Sequence, residues 1–298
     1  MDNITIEELK ILKRVMETNN ITQTATELYI NQSTISKMIK RVENQNNIQI
    51  FNRKRGFSLT NEGEIFYSYI MDLLKTWKSL EHHISEQNTN YISKIHIGLP
   101  PIIGSFLFPK IITSFIDTYP FIENIIYESG GLKIEEDLLK GDIDVGFAVL
   151  PTKNSSLKSH IIYQDVFVIC VSEKHVLAKY DEIDFVDLKN ERFICFSNDF
   201  MIHQYFLKMC EISAFEPNII LNSSQWDLII ELVGVNFGIS IIPRILISKF
   251  EGKNIKEIKI SKPKLPWEIG IIYSDANYLS IAAKNFIEIA KKTYYPLI

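Results

Sequence analysis

Cysteine is scarce in this chain: three among 298 residues, Cys170, Cys195 and Cys210, an odd number without C-x-x-C spacing. That excludes a disulfide framework and a thiolate zinc site, and leaves three buried free thiols as the expectation. Long apolar runs are missing as well. The most apolar stretches, residues 239–243 and 269–273, are strand-sized and fall far below the roughly 20 residues a membrane helix needs. The first residues, Met1-Asp2-Asn3-Ile4-Thr5, have no basic segment followed by an apolar core, so a cytoplasmic protein without membrane contact is expected. G-x-S-x-G, G-x-G-x-x-G, Walker and H-E-x-x-H motifs are all absent, and the six histidines (82, 83, 96, 160, 175 and 203) show no ligand or triad spacing. Adjacent His82 and His83 point to different faces of a helix and make a poor metal pair. Neither catalysis nor a metal or cofactor is expected.

What the chain has is ordinary globular composition, 46% hydrophobic and 23% charged, at a length that suits two domains. Charge is unevenly placed. Residues 1–61 hold nine Lys and Arg against six Asp and Glu, a net +3, whereas the remainder holds 23 against 30, a net −7. A small basic module on an acidic body points to a polyanionic partner for the first part alone.

Three helical patterns fill the first sixty residues. Residues 5–18 place Ile6, Leu9, Leu12 and Met16 on one face behind a Thr5/Glu8 capping box. A short second helix is expected to begin with Thr22 as N-cap and to run through Ala25 and Leu28. Asn31 is the next N-cap, and the helix over residues 32–46 gathers Ile35, Met38, Ile39 and Val42 on one side. Its other side carries Gln32, Ser33, Ser36, Lys37, Lys40 and Arg41. Two short helices joined by about three residues form a helix-turn-helix. Gln32, a bidentate partner for adenine, with Ser33, Thr34 and Ser36 would reach base edges, and Lys37 and Lys40 would meet phosphates. Residues 48–51 and 56–60 read as two short strands, so residues 52–56 become a hairpin tip bearing Arg53, Lys54 and Arg55. Three cations there would lie over the backbone or minor groove and supply salt-dependent affinity.

The run Ala25-Thr26-Glu27-Leu28-Tyr29-Ile30-Asn31-Gln32-Ser33-Thr34-Ile35-Ser36, followed by Ile39, Glu43, Ile50-Phe51, Arg53 and Leu59-Thr60-Asn61-Glu62-Gly63, resembles the winged helix-turn-helix of LysR-type transcriptional regulators. The chain departs from that pattern at Thr26, where the family often has alanine, and at Asn46-Asn47, where it often has leucine-glycine. Asn can adopt the left-handed cap conformation that glycine usually supplies.

From residue 61 to about 86 there is no proline and a single glycine, Gly63. Phe66, Ile70, Leu73, Trp77, Leu80 and Ile84 are spaced 4, 3, 4, 3 and 4, a heptad seam that calls for a partner helix. In the family it resembles, this helix pairs with its twin and sets the spacing of two DNA-binding heads, which implies a homodimer or a homotetramer. Residues 87–90 read as a hinge.

Beyond Ser93, strand and helix patterns alternate as two α/β units, with the last strand and helix returning to the first. The expected architecture is therefore α/β: a winged helix-turn-helix over 1–61, a linker helix and hinge over 62–90, and a two-lobed effector domain over 91–298. Its body is like that of periplasmic binding proteins, with lobe I about 91–161 and 268–298 and lobe II about 162–267. Residues Gly98, Leu107-Phe108-Pro109, Tyr119-Pro120, Gly141-Asp142-Ile143-Asp144-Val145-Gly146, Lys174-His175-Val176-Leu177-Ala178 and 234–243 follow the family's effector-domain pattern, so the resemblance covers nearly the whole chain. His175 within it reads as structural.

Ligands of such sheets sit at the carboxyl ends of strands. The candidates are the turn at residues 100–105 (Pro101, Ile102, Ile103, Gly104 and Ser105), Ser129 with Gly130-Gly131, the segment from Phe147 to Val149, the loop with Ser197, Asn198 and Phe200, and Ser224 with Ser223. Relatives often carry Ser or Thr at the position matched by Ile102. With Pro100 and Pro101 lacking N–H, anion capture there would rest on backbone amides and the Ser105 hydroxyl. The resemblance implies a small organic acid or metabolite as effector. It also implies a regulator bound to a double-stranded operator, whose effector shifts the lobes and so changes DNA bending and recruitment of RNA polymerase. A two-lobed solute-binding protein without a transcriptional role is the other reading, but it needs export and leaves the basic head without a use.

Overall fold

The computed structural model describes residues 4–52, 57–87, 93–198, 200–250, 254–264, 266–275 and 279–294. The chain forms two compact units, Met1–Asn88 and Thr89–Ile298.

The first unit contains α1 (Ile6–Thr18), α2 (Ile21–Glu27), α3 (Gln32–Asn46), the two-residue strands β1 (Phe51–Asn52) and β2 (Ser58–Leu59), and α4 (Asn61–Gln87). At the start of α1 the Thr5 hydroxyl accepts from the Glu8 amide while the Glu8 carboxylate accepts from the Thr5 amide, both at 3.2 Å, so the capping box forms as its spacing dictates. The start of α2 differs from the expectation. Asn20 is the N-cap, its Oδ1 accepting from the Gln23 amide at 3.0 Å, and Thr22 lies exposed inside the first turn. Both residue types cap well. The position is decided by the left-handed Asn19 at the end of α1 (φ 48°), which delivers the chain to Asn20 already extended. Asn47 ends α3 in the left-handed conformation (φ 51°), in the role glycine would take.

The wing is shorter than the alternating pattern suggests. Among the described residues Phe51↔Leu59 and Asn52↔Ser58 pair, and the carboxylate of Glu43 on α3 accepts from the amides of Ile50 and Phe51 at 3.0 and 3.1 Å. Arg53, Lys54 and Arg55 lie outside the described residues. A Cβ on Gly63 would stand 2.2 Å from the Ile50 carbonyl oxygen, so the first turn of α4 can press on the wing only through glycine.

The second unit opens with β3 (Lys94–Leu99), α5 (Pro101–Phe106), α6 (Phe108–Thr118), β4 (Glu123–Glu128), α7 (Gly131–Lys140) and β5 (Val145–Leu150). Next come the long β6 (Leu157–Ser172), β7 (Glu182–Ile183), β8 (Arg192–Phe196), α8 (Met201–Ile212), β9 (Asn218–Ser223), α9 (Trp226–Gly234), β10 (Ser240–Pro243), β11 (Ile255–Ile260), β12 (Pro266–Ser274) and α10 (Ile281–Tyr294). The strands of lobe I run in the order β4, β3, β5, β12, β6, with β3 parallel to β4 and β5. In lobe II, β10 and β11 flank the second half of β6, and β8 with β9 forms a parallel pair that reaches β10 through the Phe193↔Ile239 bridge. α7 rests on lobe I at a glycine pair: Gly98 and Gly146 are register partners, and a Cβ on either would lie within 3 Å of the Ile134 side chain.

One expectation changes here. Residues 101–106, read as a turn, form the short helix α5, begun by Pro101 where a missing N–H costs nothing. The boundary expected between the lobes, 161/162, lies within the single strand β6, five residues before the point where that strand changes pairing partners. Its residues through Val166 pair with β12, and from Phe167 onward they pair with β10 and β11. No break in composition marks that point, since the strand changes partners without changing conformation.

Candidate DNA-reading face and ligand cleft

α3 buries Ile35, Met38, Ile39 and Val42 against Leu12, Val15 and Met16 of α1 in the core of the head. The opposite side is thereby turned outward: Asn31, Gln32, Ser33, Thr34, Lys37 and Lys40 are exposed and Ser36 is half-buried. Among the described residues no hydrogen bond or ion pair occupies the side chains of Gln32, Ser33, Lys37 or Lys40. Asn31 occupies the N-cap position without a side-chain cap bond. Arg41 differs from its neighbours, being held in an ion pair with Glu8 of α1. Glu43 fixes the wing to the same helix. One residue escaped sequence reasoning: Tyr29, in the turn before α3, is 98% exposed with φ 55°. An aromatic between Leu28 and Ile30 reads as core, and only the left-handed turn directs it outward.

The seam of α4 divides in two. Phe66 and Ile70 are 9% and 2% exposed and belong to the core of their own head, which corrects their assignment to a dimer seam. Their spacing is that of the seam because one helix stripe continues from intramolecular packing into open surface. Leu73, Trp77, Leu80 and Ile84 are 47%, 37%, 46% and 57% exposed on that surface.

In the second unit a cleft lies between the lobes, at the carboxyl ends of β3, β4 and β8 where α5, α7 and α8 begin. Pro100, Ile102, Ile103, Gly131, Val149, Phe200 and Met201, from the segments expected at the strand ends, line it together with Ile202, Pro243 and Trp267. Its free volume is about 30 Å³, room for a water or two. The lobes close on it tightly: a Cβ on Gly131 would lie 3.7 Å from Met201 Cγ, and Tyr205 Oη of α8 donates to the Leu150 carbonyl of β5 at 2.8 Å.

The remaining candidates do not line this cleft. Phe147 is wholly buried, its ring edge-on to Phe108 and Phe286, because β5 is a central strand whose alternate residues face the core. The Ser105 hydroxyl donates back to the Pro101 carbonyl at 3.1 Å, as serine inside a helix commonly does. Pro101 and Gly104 belong to α5, and Ser129, Ser197, Asn198 and Ser224 sit on the adjoining loops, all outside the lining. Ile202, Pro243 and Trp267 were not foreseen; Pro243 and Trp267 arrive from β10 and β12, strands distant in sequence, and no local motif marks them. His175 accepts from the Leu177 amide at 3.2 Å and so caps a 3-10 turn.

A larger, open depression of about 580 Å³ follows β6 where it changes partners. Several of its polar groups are engaged: Arg244 pairs with Glu257 at 3.0 Å, Gln164 donates to Glu268 at 2.7 Å, and Asp165 accepts from the Ile245 amide at 2.7 Å. Partial burial raises the Asp165 carboxyl above its ordinary range. The cleft, with walls from both lobes at the carboxyl ends of strands, is the candidate ligand site.

Two family models match this chain. Residues 6–64 match the model of the bacterial regulatory helix-turn-helix protein, lysR family, and residues 91–294 match that of the LysR substrate binding domain. The uncharacterized HTH-type transcriptional regulator YwbI of Bacillus subtilis (strain 168) is 33% identical over 287 residues, 96% of this chain and 95% of that protein. The transcriptional dual regulator GltC of the same organism is 25% identical over 285 residues, 95% of each chain. Full-length CbnR complexed with its target DNA shares the fold at a TM-score of 0.65 and 16% identity, covering 97% of this chain and 100% of that one. The effector binding domain of QuiR in complex with shikimate does so at 0.62 and 24%, covering 68% of this chain and 97% of that one. Among the described residues no helix is long and apolar enough to cross a membrane. The chain belongs to the LysR family of transcriptional regulators, with a helix-turn-helix head that binds DNA and a two-lobed domain that binds a small-molecule effector.

Proposed function

We propose that Gln32, Ser33, Thr34 and Ser36 read base edges of the operator, while Lys37, Lys40 and the wing cations Arg53, Lys54 and Arg55 hold phosphates. The observation that carries this reading is the outward, unengaged polar side of α3 against a fully buried opposite side. Thr22 and Asn31 flank that surface, and the first amides of α3 face solvent at a point suited to a phosphate oxygen. Leu73, Trp77, Leu80 and Ile84 pair with their counterparts in a second copy, giving a homodimer or a tetramer built from two such dimers. An effector, a small organic acid or metabolite, binds in the inter-lobe cleft and changes the balance between lobe arrangements. Through the DNA-binding heads it then alters DNA bending and RNA polymerase recruitment. The protein acts in the cytoplasm and catalyses no reaction. The division of labour follows 1–61 for DNA, 62–90 for pairing and 91–298 for the effector.

Fluorescence anisotropy with operator and random duplexes at fixed salt tests the reading. Gln32→Ala is expected to lower operator affinity by about 1–3 kcal/mol while leaving random-DNA affinity nearly unchanged. Lys37→Ala weakens both and flattens the salt dependence. Equal losses on both duplexes for Gln32→Ala would remove its base-reading role.

A further inference from the structure

The walls of the inter-lobe cleft are chemically uniform. None of the ten lining residues carries a hydroxyl, carboxamide or charged side chain; Ile102, Ile103, Val149, Met201 and Ile202 supply hydrocarbon or thioether surface, and Phe200 and Trp267 supply aromatic faces. Ser129, Ser197 and Ser224 lie outside the lining, and two further serines nearby are engaged elsewhere. Ser105 is turned to the Pro101 carbonyl, and Ser223 Oγ accepts from the Gln225 amide at 3.0 Å. Pro100 and Pro243 contribute no N–H.

We infer that the effector of this chain has an apolar body, a small ring or branched hydrocarbon, with its polar atoms confined to one end and no hydroxyls along the body. This rests on the reading of the cleft as the effector site. A hydroxyl carried from water onto these walls finds no side-chain oxygen to accept its proton and one side-chain donor, the indole N–H of Trp267, and a buried hydroxyl whose proton stays unpaired lowers affinity by about tenfold or more. A hydrocarbon body instead gains from leaving water, and its flat or branched surface matches Phe200, Trp267 and the isoleucines. Because the free volume is so small, even one six-membered ring must part the lobes, so binding such a body is coupled to their rearrangement.

The test uses matched probes that differ only in hydroxylation, 1-cyclohexene-1-carboxylate against shikimate and benzoate against gallate, titrated into the full chain. Binding is read by thermal shift and by calorimetry. The apolar member of a pair is expected to bind at least about tenfold more tightly than its hydroxylated analogue. Val149→Thr, which exchanges a methyl for a hydroxyl at nearly constant volume, narrows that ratio without shifting the ligand-free melting temperature by more than a few degrees. Equal or tighter binding of the hydroxylated members, abolished by Ile102→Glu, overturns the inference and leaves the cleft as the effector site. Binding that Ile102→Glu does not touch overturns the cleft reading itself. Failure of every probe to bind at millimolar concentration overturns the inference as well.

Discussion

Cys170, Cys195 and Cys210 are all buried, and burial pushes each thiol up to about 12. A thiol in that range holds almost no thiolate near neutral pH and is a poor redox centre. At pH 8 a disulfide reagent such as Ellman's is expected to label none of them in the folded chain and all three in denaturant; fast labelling of native protein refutes this. Ala214 follows the end of α8 with φ 54°, a left-handed conformation that costs alanine more than glycine. Its side chain is exposed, so Ala214→Gly is expected to raise stability by about 0.5–1 kcal/mol in urea unfolding. At this scale the sequence was most legible where a residue's role is local. The Thr5/Glu8 box and the Asn47 cap depend on backbone within four residues. Phe147 was misread because its neighbours in chain do not reveal that β5 lies mid-sheet.

Glu43 joins two elements. Its Oε1 accepts the amides of Ile50 and Phe51, which orients the wing against the DNA-reading helix. Glu43→Ala leaves two amides without their acceptor, and a loss of about 1–3 kcal/mol in stability of the head is expected. Random-DNA binding should fall with it, because the strand that leads to the wing cations loses its anchor on α3; unchanged binding on both duplexes would count against the coupling. α4 shows how far periodicity reaches. The 4-3-4-3-4 spacing identifies one apolar stripe and its helix correctly, but spacing does not say which part of a stripe packs on the same chain. Phe66 and Ile70 meet the head, while Leu73 onward remains open.

For the whole molecule, that open stripe predicts association. Leu73 is 47% exposed in a single chain, so a charge there costs the monomer little, whereas in a paired seam it becomes a buried carboxylate. Leu73→Glu is expected to halve the mass seen by light scattering, from two chains of 34.5 kDa to one or from four to two, with the melting of the effector domain unchanged. A variant that keeps the parental mass rules out pairing through this stripe.

The sequence by itself determined the order of the parts: a basic winged helix-turn-helix, an apolar-striped helix, and alternating strands and helices that build an α/β body. Capping, helical period, strand alternation and charge all act over a few residues or are simple sums, so one chain suffices to read them. The tertiary structure alone decided three things. It changed the pairing partners of β6 between Val166 and Phe167 while the backbone runs on. It divided the α4 stripe between core and surface. And it brought Pro243 and Trp267 to Ile102, Gly131 and Phe200, giving the cleft its apolar walls. Each of these is a long-range contact between segments whose own residues are equally at home in several environments, and only the folded chain selects among them.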